Sequence, residues 1–322
     1  MKVLVTGGAG YVGSHACKEL ARRGHLPITY DNLSRGHRAA VRWGPLEEGE
    51  INDHDCLNDA VRRHQPEAVM HFAAYADVAE SFAQPNLYHR NNVLGSQSLL
   101  DVTRAFAIRH FVFSSSCAVY GVPAQVPIAE DAPLRPINPY GENKLATERL
   151  LRDHGAIHGV RSVSLRYFNA AGADPAGEAG ESHDPETHAV PRAIFAALGQ
   201  IDRFEIFGDD YPTPDGTAIR DYVHVTDLAE AHIAALHYLH NGGQTAAFNL
   251  GTGRGTSVLE VLRCVEDESG RHVPVARKPR RPGDPPVLVA DASRANTALG
   301  WQPSRSDIRT IVRTALAWHG KD

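Results

Sequence analysis

"VTGGAGYVGS", residues 5–14, decides how the rest of the chain is read. The apolar run "KVLVT" (2–6) leads into it and the amphipathic run "YVGSHACKELARRG" (11–24) leaves it, which reads as strand, glycine turn, helix. Gly7, Gly10 and Gly13 fall in the turn at GxxGxxG spacing. Glycines there permit a tight turn, let the backbone approach a pyrophosphate and let the helix pack closely on its strand. The helix start adds unpaired N–H groups and a positive dipole end. A plain glycine-rich turn is the bland alternative. The place of the motif at the head of a strand–helix unit argues for a dinucleotide site instead.

The pattern continues outward. "LPITYD" (26–31), "EAVMHFAA" (67–74), "HFVFSSS" (110–116) and "VRSVSLRYFN" (160–169) read as strands. "DHDCLNDAVRRH" (53–64), "NLYHRNNVLGSQSLLDVTRAF" (86–106) and "PYGENKLATERLLRDHG" (139–155) read as helices between them. Short apolar runs alternating with helices imply an α/β fold, a doubly wound parallel sheet covered on both faces. After Asn169 the rhythm breaks. Residues 170–188 read as an ordered loop, 189–199 as a helix, "RFEIFG" (203–208) and "AIRDYVHV" (218–225) as short strands, and "AAFNLGTG" (246–253) as a strand returning to the main sheet. The expected organisation is a Rossmann-type dinucleotide domain over residues 1–169, rejoined by segments at about 218–250, with 170–322 mainly forming a smaller mixed α/β lobe.

Composition narrows the function classes. The 322-residue chain is 42% hydrophobic and 22% charged, ordinary for a globular protein. A net charge of -5 leaves no basic surplus for nucleic acid. No apolar run reaches the ~18 residues of a membrane helix. The four cysteines, Cys17, Cys56, Cys117 and Cys264, are scattered without paired spacing, which fits a reducing cytoplasm and speaks against a zinc or disulfide framework. Among the 18 histidines none forms HExxH, and "HDPETH" (183–188) reads as solvated loop, so no metal is expected. The basic stretch "RHVPVARKPRRPGD" (271–284) reads as a solvated loop or as a seat for a small anion.

Four residues carry chemistry. Asp31 ends the second strand, where a carboxylate accepts ribose hydroxyls and repels a 2′-phosphate, favouring NAD; Arg35, His37 and Arg38 close behind argue the other way. Ser116 ends "HFVFSSS", at the carboxyl edge of the sheet where ligands bind. Tyr140 and Lys144 lie four residues apart at a helix start, hence on one face. A free phenol has a pKa near ~10, too high for a base at neutral pH. The lysine ammonium and an oxidised nicotinamide would both favour the phenolate, so Tyr140 is expected to move the proton, Lys144 to supply charge and Ser116 to hold the substrate hydroxyl.

With these residues in place, TGGAGYVG (6–13), SSS with VYG (114–116, 119–121) and PYGENK (139–144) together resemble the extended short-chain dehydrogenase/reductases. "HFAAYADVAES" (71–81), "RYFNAAGADPAGEAGE" (166–181), "IFGDDYPTPDGTAIRDYVHV" (206–225), "FNLGTG" (248–253) and "RRPGD" (280–284) narrow the resemblance to the nucleotide-sugar 4-epimerases of that family, nearly end to end. The resemblance implies NAD-dependent inversion of C4 of a UDP-hexose through a 4-keto sugar, and a homodimer paired through helices at about 87–106 and 140–154. It places Ser116, Tyr140 and Lys144 as catalytic. It places Gly7, Gly10, Tyr11, Val12, Asp31, Asn32, Ile51, Phe72, Ala73, Asn92 and Tyr167 along the NAD groove, with Tyr140 and Lys144 touching it. Asn169, His188, Ala189, Glu205, Phe207, Arg220, Arg281, Asp284 and Leu288 fall on the nucleotide-sugar side. Arg220 and Arg281 suit a pyrophosphate, because guanidinium binds phosphate well.

The chain departs from the family pattern at a few positions. Glu50 replaces an aspartate beside adenine, Ala76 a lysine over the cofactor, and Ala118 a threonine beside the sugar. Leu288 stands where residue size gates the sugar 2-substituent, which puts acceptance of N-acetylhexosamines in question. The alternative readings are a 4,6-dehydratase of the same scaffold and a non-catalytic dinucleotide sensor. Cys117 and Ala118, in place of an acid pair after Ser116, disfavour the first, and the intact Tyr140–Lys144 pair disfavours the second.

Overall fold

A computed structural model describes residues 1–281 and 284–320. Pro282 and Gly283 of the "RRPGD" run lie outside the described residues. The main sheet begins with β1 (Lys2–Thr6), β2 (Leu26–Asp31), β3 (Leu46–Glu48), β4 (Ala68–His71), β5 (His110–Ser116) and β6 (Arg161–Tyr167). The strand Ala246–Leu250 completes it beside β6. From that strand the spatial order runs β6, β5, β4, β1, β2, β3, and every pair is parallel.

Alternation within the strands explains the unbroken apolar runs. Val3, Val5, Met70, Val112, Val163 and Leu165 pack into one layer with Cys17, Leu20, Leu228 and Leu236. Leu4, Val69, Phe111 and Phe113 point the other way, toward Leu57, Leu99, Leu100 and Leu151. Both faces are therefore dry, as a parallel sheet requires. Helix α1 (Tyr11–Arg22) covers the first face with helix Val225–His240. Helix α2 (His54–His64) covers the second with helices Gly95–Ala105 and Pro139–His158. Helix starts follow local chemistry: Asp53 accepts the N–H groups of Asp55 and Cys56 at 3.1 and 3.0 Å.

The C-terminal half builds a second core from fragments. Val190, Ile194, Phe204, Ile206, Val261, Val265, Ile311 and Val312 meet between helices Ala189–Leu198, Val258–Ser269 and Ile308–His319. Strands Phe204–Phe207 and Val275–Lys278 pair in parallel, and Ile219–Arg220 sits between Thr256–Ser257 and Val287–Leu288.

Two elements differ from the sequence expectation. "AIRDYVHV" is not one strand. Ile219–Arg220 joins the three-stranded sheet and Tyr222–His224 pairs with Asn169–Ala171, because the fully buried Asp221 between them takes hydrogen bonds from Thr252 N, Gly253 N and Ala290 N. The helix expected over 86–106 contains a π-helical stretch, His89–Leu94, which turns Asn92 toward the backbone of Tyr75.

Candidate functional site

The site follows from strand order. β1 continues to β2 and β3 on one side, while β4, β5 and β6 lie on the other. The crevice at this reversal, beyond the carboxyl ends of the strands, is where open α/β sheets bind ligands. The glycine turn lines it. Gly7 has φ +74°, and a Cβ there would lie 2.5 Å from Ala73 N. At Gly13 a Cβ would lie 2.1 Å from Gly7 O. No larger residue fits either place. Ser14 N is the first amide of α1 to return to the helix, at 2.9 Å from Gly10 O, and Gly10 brings no side-chain cap. The amides of Tyr11, Val12 and Gly13 consequently lack an intrahelical acceptor, and a phosphate satisfies them.

The other cofactor candidates surround this turn. Phe72 N and Ala73 N both donate to Thr6 O, at 2.8 and 3.0 Å, so the end of β4 is locked against the glycines. Asp31 is 7% exposed; its Oδ2 accepts Ala9 N at 3.0 Å and its Oδ1 accepts Leu33 N at 2.9 Å. Burial raises the Asp31 carboxyl and these two amides oppose it. Each oxygen retains a lone pair for a sugar hydroxyl. Asn32 donates to Glu50 at 3.0 Å, and Ile51 packs under Gly95. The cations that could have held a 2′-phosphate are engaged elsewhere. Arg35 pairs with Glu80 at 2.7 Å, Arg38 with Glu48, and His37 meets Ser182 O at 2.5 Å. Tyr11 reaches across to donate to Gly172 O at 2.5 Å.

The catalytic candidates come together one strand over. Asn138 caps helix Pro139–His158 by accepting Gly141 N at 2.8 Å, with Pro139 in the first turn. That start fixes Tyr140, and Lys144 one turn on brings its Nζ 5.7 Å from the Tyr140 ring centroid. Lys144 Nζ donates to Ser114 O at 2.7 Å and lies 4.9 Å from the Phe113 ring centroid. Tyr167 shares a hydrogen bond with Ser114 Oγ at 2.7 Å. Ser116 Oγ accepts Ala118 N at 3.2 Å and stands near enough to the Tyr140 phenol to favour its charged form.

Lys144 and an oxidised nicotinamide were together expected to make Tyr140 acidic, and the electrostatics give the share of the chain's own groups. Burial pushes the Tyr140 phenol well up, Tyr167 adds to the rise, and Ser116 opposes it. Burial likewise lowers Lys144 to about 7, with Glu148 opposing. Desolvation disfavours both charged forms, so the protein's own groups leave the pair close to neutral.

Sequence reading missed what holds this seat in place. Glu148 accepts Arg166 Nη2 at 2.6 Å and Arg166 Nε at 2.9 Å, and also Ser115 Oγ at 2.6 Å. Arg166 Nη1 donates to Tyr120 OH at 2.9 Å, which donates to Asn249 at 2.7 Å. Two signals were present: Glu148 is four residues from Lys144 on the same helix face, and Arg166 is a charge inside an apolar strand. Beneath the glycine turn, His71 bonds Thr6 Oγ1 at 2.7 Å and Ser96 Oγ at 2.9 Å.

On the presumed sugar-nucleotide side the candidates meet in pairs. Arg220 contacts Asp284, and Leu288 lies in register with Arg220. Arg281 stacks over Phe207 at 3.9 Å from its centroid, and Glu205 lies 3.5 Å from Lys278. Asn169 N donates to Asp221 O at 2.9 Å, and Ala189 opens its helix behind His188. The 271–284 stretch is less available to an anion than its composition suggests, because Arg277 pairs with Asp209 at 2.5 Å and Arg280 with Asp210 at 2.6 Å. The histidines of "HDPETH" are not simple solvated side chains either. His183 and His188 both contact the buried Glu181.

Comparison with known proteins agrees with this geometry. The model of the NAD dependent epimerase/dehydratase family matches residues 3–251. A UDP-glucose 4-epimerase of Rhizobium leguminosarum bv. trifolii is 51% identical over 319 residues, 99% of this chain and 97% of the relative. The crystal structure of UDP-glucose 4-epimerase from Brucella ovis in complex with NAD superposes with a TM-score of 0.97 at 54% identity, covering 99% of this chain and 98% of that one. The Bifidobacterium longum UDP-glucose 4-epimerase in complex with NAD+ and UDP superposes with a TM-score of 0.95 at 37% identity, covering 100% and 99%.

Proposed function

The chain belongs to the NAD-dependent epimerase/dehydratase family, and we propose that it is a UDP-glucose 4-epimerase, interconverting UDP-glucose and UDP-galactose through a 4-keto sugar. The observation that carries this reading is the joining of Tyr140, Lys144 and Ser116 in one dry seat beside the glycine turn. The cofactor is NAD. The turn can close this tightly against Ala73 and against itself only because Gly7 and Gly13 lack side chains, and Asp31 stands where an adenosine ribose would be held. Gly10, Tyr11, Val12, Asn32, Ile51, Phe72, Ala73, Asn92 and Tyr167 complete the groove in this proposal. When bound, NAD supplies reversible oxidation at the sugar C4.

The chain's residues do the rest. Ser116 holds the 4-hydroxyl, and Tyr140 takes its proton and returns it after the sugar has presented its other face. A hydroxyl fixed within hydrogen-bond reach of the base gains an orientation advantage. Lys144, fastened to Ser114 O, holds its amine beside the Tyr140 ring, where it favours the phenolate whenever it carries a proton. The bound nicotinamide contributes the positive charge that the protein alone does not give Tyr140. Arg220 and Arg281 grip the substrate diphosphate, with Asn169, His188, Ala189, Glu205, Phe207, Asp284 and Leu288 around the nucleotide and sugar. Elimination of water would need a further acid and base, and Cys117 and Ala118 next to Ser116 provide neither: burial pushes the Cys117 thiol up to about 12.

We also place the protein in the cytoplasm as a homodimer. No helix among the described residues is long and apolar enough to cross a membrane, and all four cysteines are free. Leu94, within the first proposed pairing helix, and Ile157, just past the second, stay 44% and 73% exposed. The test of the activity is incubation with UDP-galactose. UDP-glucose should form without net consumption of added NADH; a 4-keto-6-deoxy product would transfer the chain to the dehydratases, and no conversion would end the proposal.

A further inference from the structure

The segment "ESHDPETH" (181–188) carries the spacing Glu-x-His-x-x-Glu-x-His, and folding closes it on itself. One ligand atom from each of Glu181, His183, Glu186 and His188 lies within 4.8 Å of the others. His183 Nδ1 is 3.0 Å from Glu181 Oε1 and 3.7 Å from Glu186 Oε2. His188 Nδ1 contacts the same Glu181 oxygen and lies 3.8 Å from Glu186 Oε1. Both glutamates are buried, 2% and 8% exposed.

A second observation points to a ligand. Glu186 Oε1 accepts the amides of Thr187 and His188 at 2.7 and 2.8 Å. Glu186 Oε2 is buried without a hydrogen-bond partner, on the side facing His183. A buried carboxylate oxygen with no hydrogen bond, faced by His183 Nδ1 only at 3.7 Å, is costly. An ion among the four donors removes that cost, and two carboxylates balance its double charge. Beside the quartet, a cavity of about 480 Å³ is lined by Glu181, His183, Glu186, Phe195 and His319, which gives an ion a way in.

We propose that Glu181, His183, Glu186 and His188 bind one divalent cation, zinc by the chemistry of the set. Two imidazole nitrogens with two carboxylate oxygens form a mixed four-donor set that zinc takes tetrahedrally. Zinc bonds of ~2.0–2.2 Å put tetrahedral donors about 3.3 Å apart, so binding draws the wider donor pairs together and opens the contacts of Glu181 with His183 and His188. The ion fastens the loop that follows Asn169 to the start of helix Ala189–Leu198. That loop is already tied at Glu181 O to Trp318 Nε1, at 2.8 Å, and at Ser182 O to His37. The role is structural, and His188, a donor of the set and the neighbour of Ala189, links it to the substrate groove.

The test uses the full chain. Protein incubated with excess zinc and dialysed against zinc-free buffer should retain about one equivalent more by elemental analysis than the His183→Gln/Glu186→Gln variant, and zinc should raise its melting temperature while leaving the variant's unchanged. If the double variant fails to fold, the single variant His183→Gln stands in. Cys56→Ser, which removes the exposed thiol, should keep the wild-type zinc count. Equal zinc in the wild type and the quartet variant, or no retention by either, means that the four side chains form only an ion-pair cluster, and the proposal falls.

Discussion

Two regions of this molecule bury ionisable groups and treat them in opposite ways. At the Tyr140–Lys144 seat and under the glycine turn, burial acts without a nearby counter-charge strong enough to offset it. The phenol rises, Lys144 falls to about 7 and His71 falls to about 3. In the 181–188 loop burial is overcome. Burial alone would lower His183, yet its bonds to Glu181 and Glu186 raise it to about 10, and His188 and His183 hold Glu181 below the usual carboxylate range. The contrast teaches that depth does not set charge; the partner at the same depth does. In the loop, protons or a cation neutralise the two carboxylates. In the seat, the missing charge has to arrive with the cofactor, which makes the protein's own chemistry conditional on loading.

The largest effect expected from this contrast is loss of stability in mild acid. His15, His224 and His232 are each lowered to about 4 by burial, and His71 to about 3. The unfolded chain protonates all four near pH ~6.5, so between that value and about 4 it binds more protons than the fold. Stability is therefore intact above this window and lost as pH falls through it, by roughly 5 kcal/mol between pH 7 and 5.5 if all four stay neutral. The raised His183 offsets only a small part of this, because its own window runs upward from about pH 6.5. Urea midpoints measured across this range should fall steeply, and His71→Gln should flatten the slope by about a quarter. A level profile would show that these histidines find counter-charges, and would erase the distinction between the regions.

Next comes the phenol. Tyr140→Phe should lower kcat by about 10³-fold, or ~4 kcal/mol, with NAD content unchanged, because the ring keeps its packing and loses only the hydroxyl that moves the proton. Lys144→Met should cost about 10²-fold. A Tyr140→Phe enzyme within a few-fold of wild type would remove tyrosine as the base and leave its burial without functional meaning.

How much of this was legible beforehand depended on how local the signal was. The strand alternation of Val3, Leu4 and Val5, the glycines at 7, 10 and 13, and the Tyr140–Lys144 spacing are short-range patterns, and the sheet followed from them. Asp221 and Asn249 were invisible because their partners are distant in sequence: Asp221 binds residues 31 and 69 positions away, and Asn249 binds one 129 away. The 181–188 quartet was misread for a different reason. Its residues are adjacent, but a Gly-, Pro- and acid-rich context resembles a solvated loop, and only the fold reveals that Glu181 and Glu186 are buried. The rise that burial gives the Tyr140 phenol had no signal in the sequence, because spacing reports proximity and not dryness.

The smallest effect tests the boundary between buried and exposed charge. Arg35 and Glu80 form a pair at 2.7 Å with side chains 47% and 24% exposed. Exposed pairs of this kind contribute ~0–1 kcal/mol. Glu80→Gln frees Arg35 at the edge of the ribose site, and a freed guanidinium attracts a 2′-phosphate. Asp31, almost fully buried and fixed by Ala9 N and Leu33 N, still faces that phosphate. NADP affinity of the variant, titrated by fluorescence on cofactor-free protein, should thus rise by no more than about 5-fold while NAD affinity holds. A gain above about 100-fold would make the surface arginine, and not the buried aspartate, the residue that chooses the cofactor. The rule that an interior partner outweighs a solvated one would then fail at the site where this enzyme most needs it.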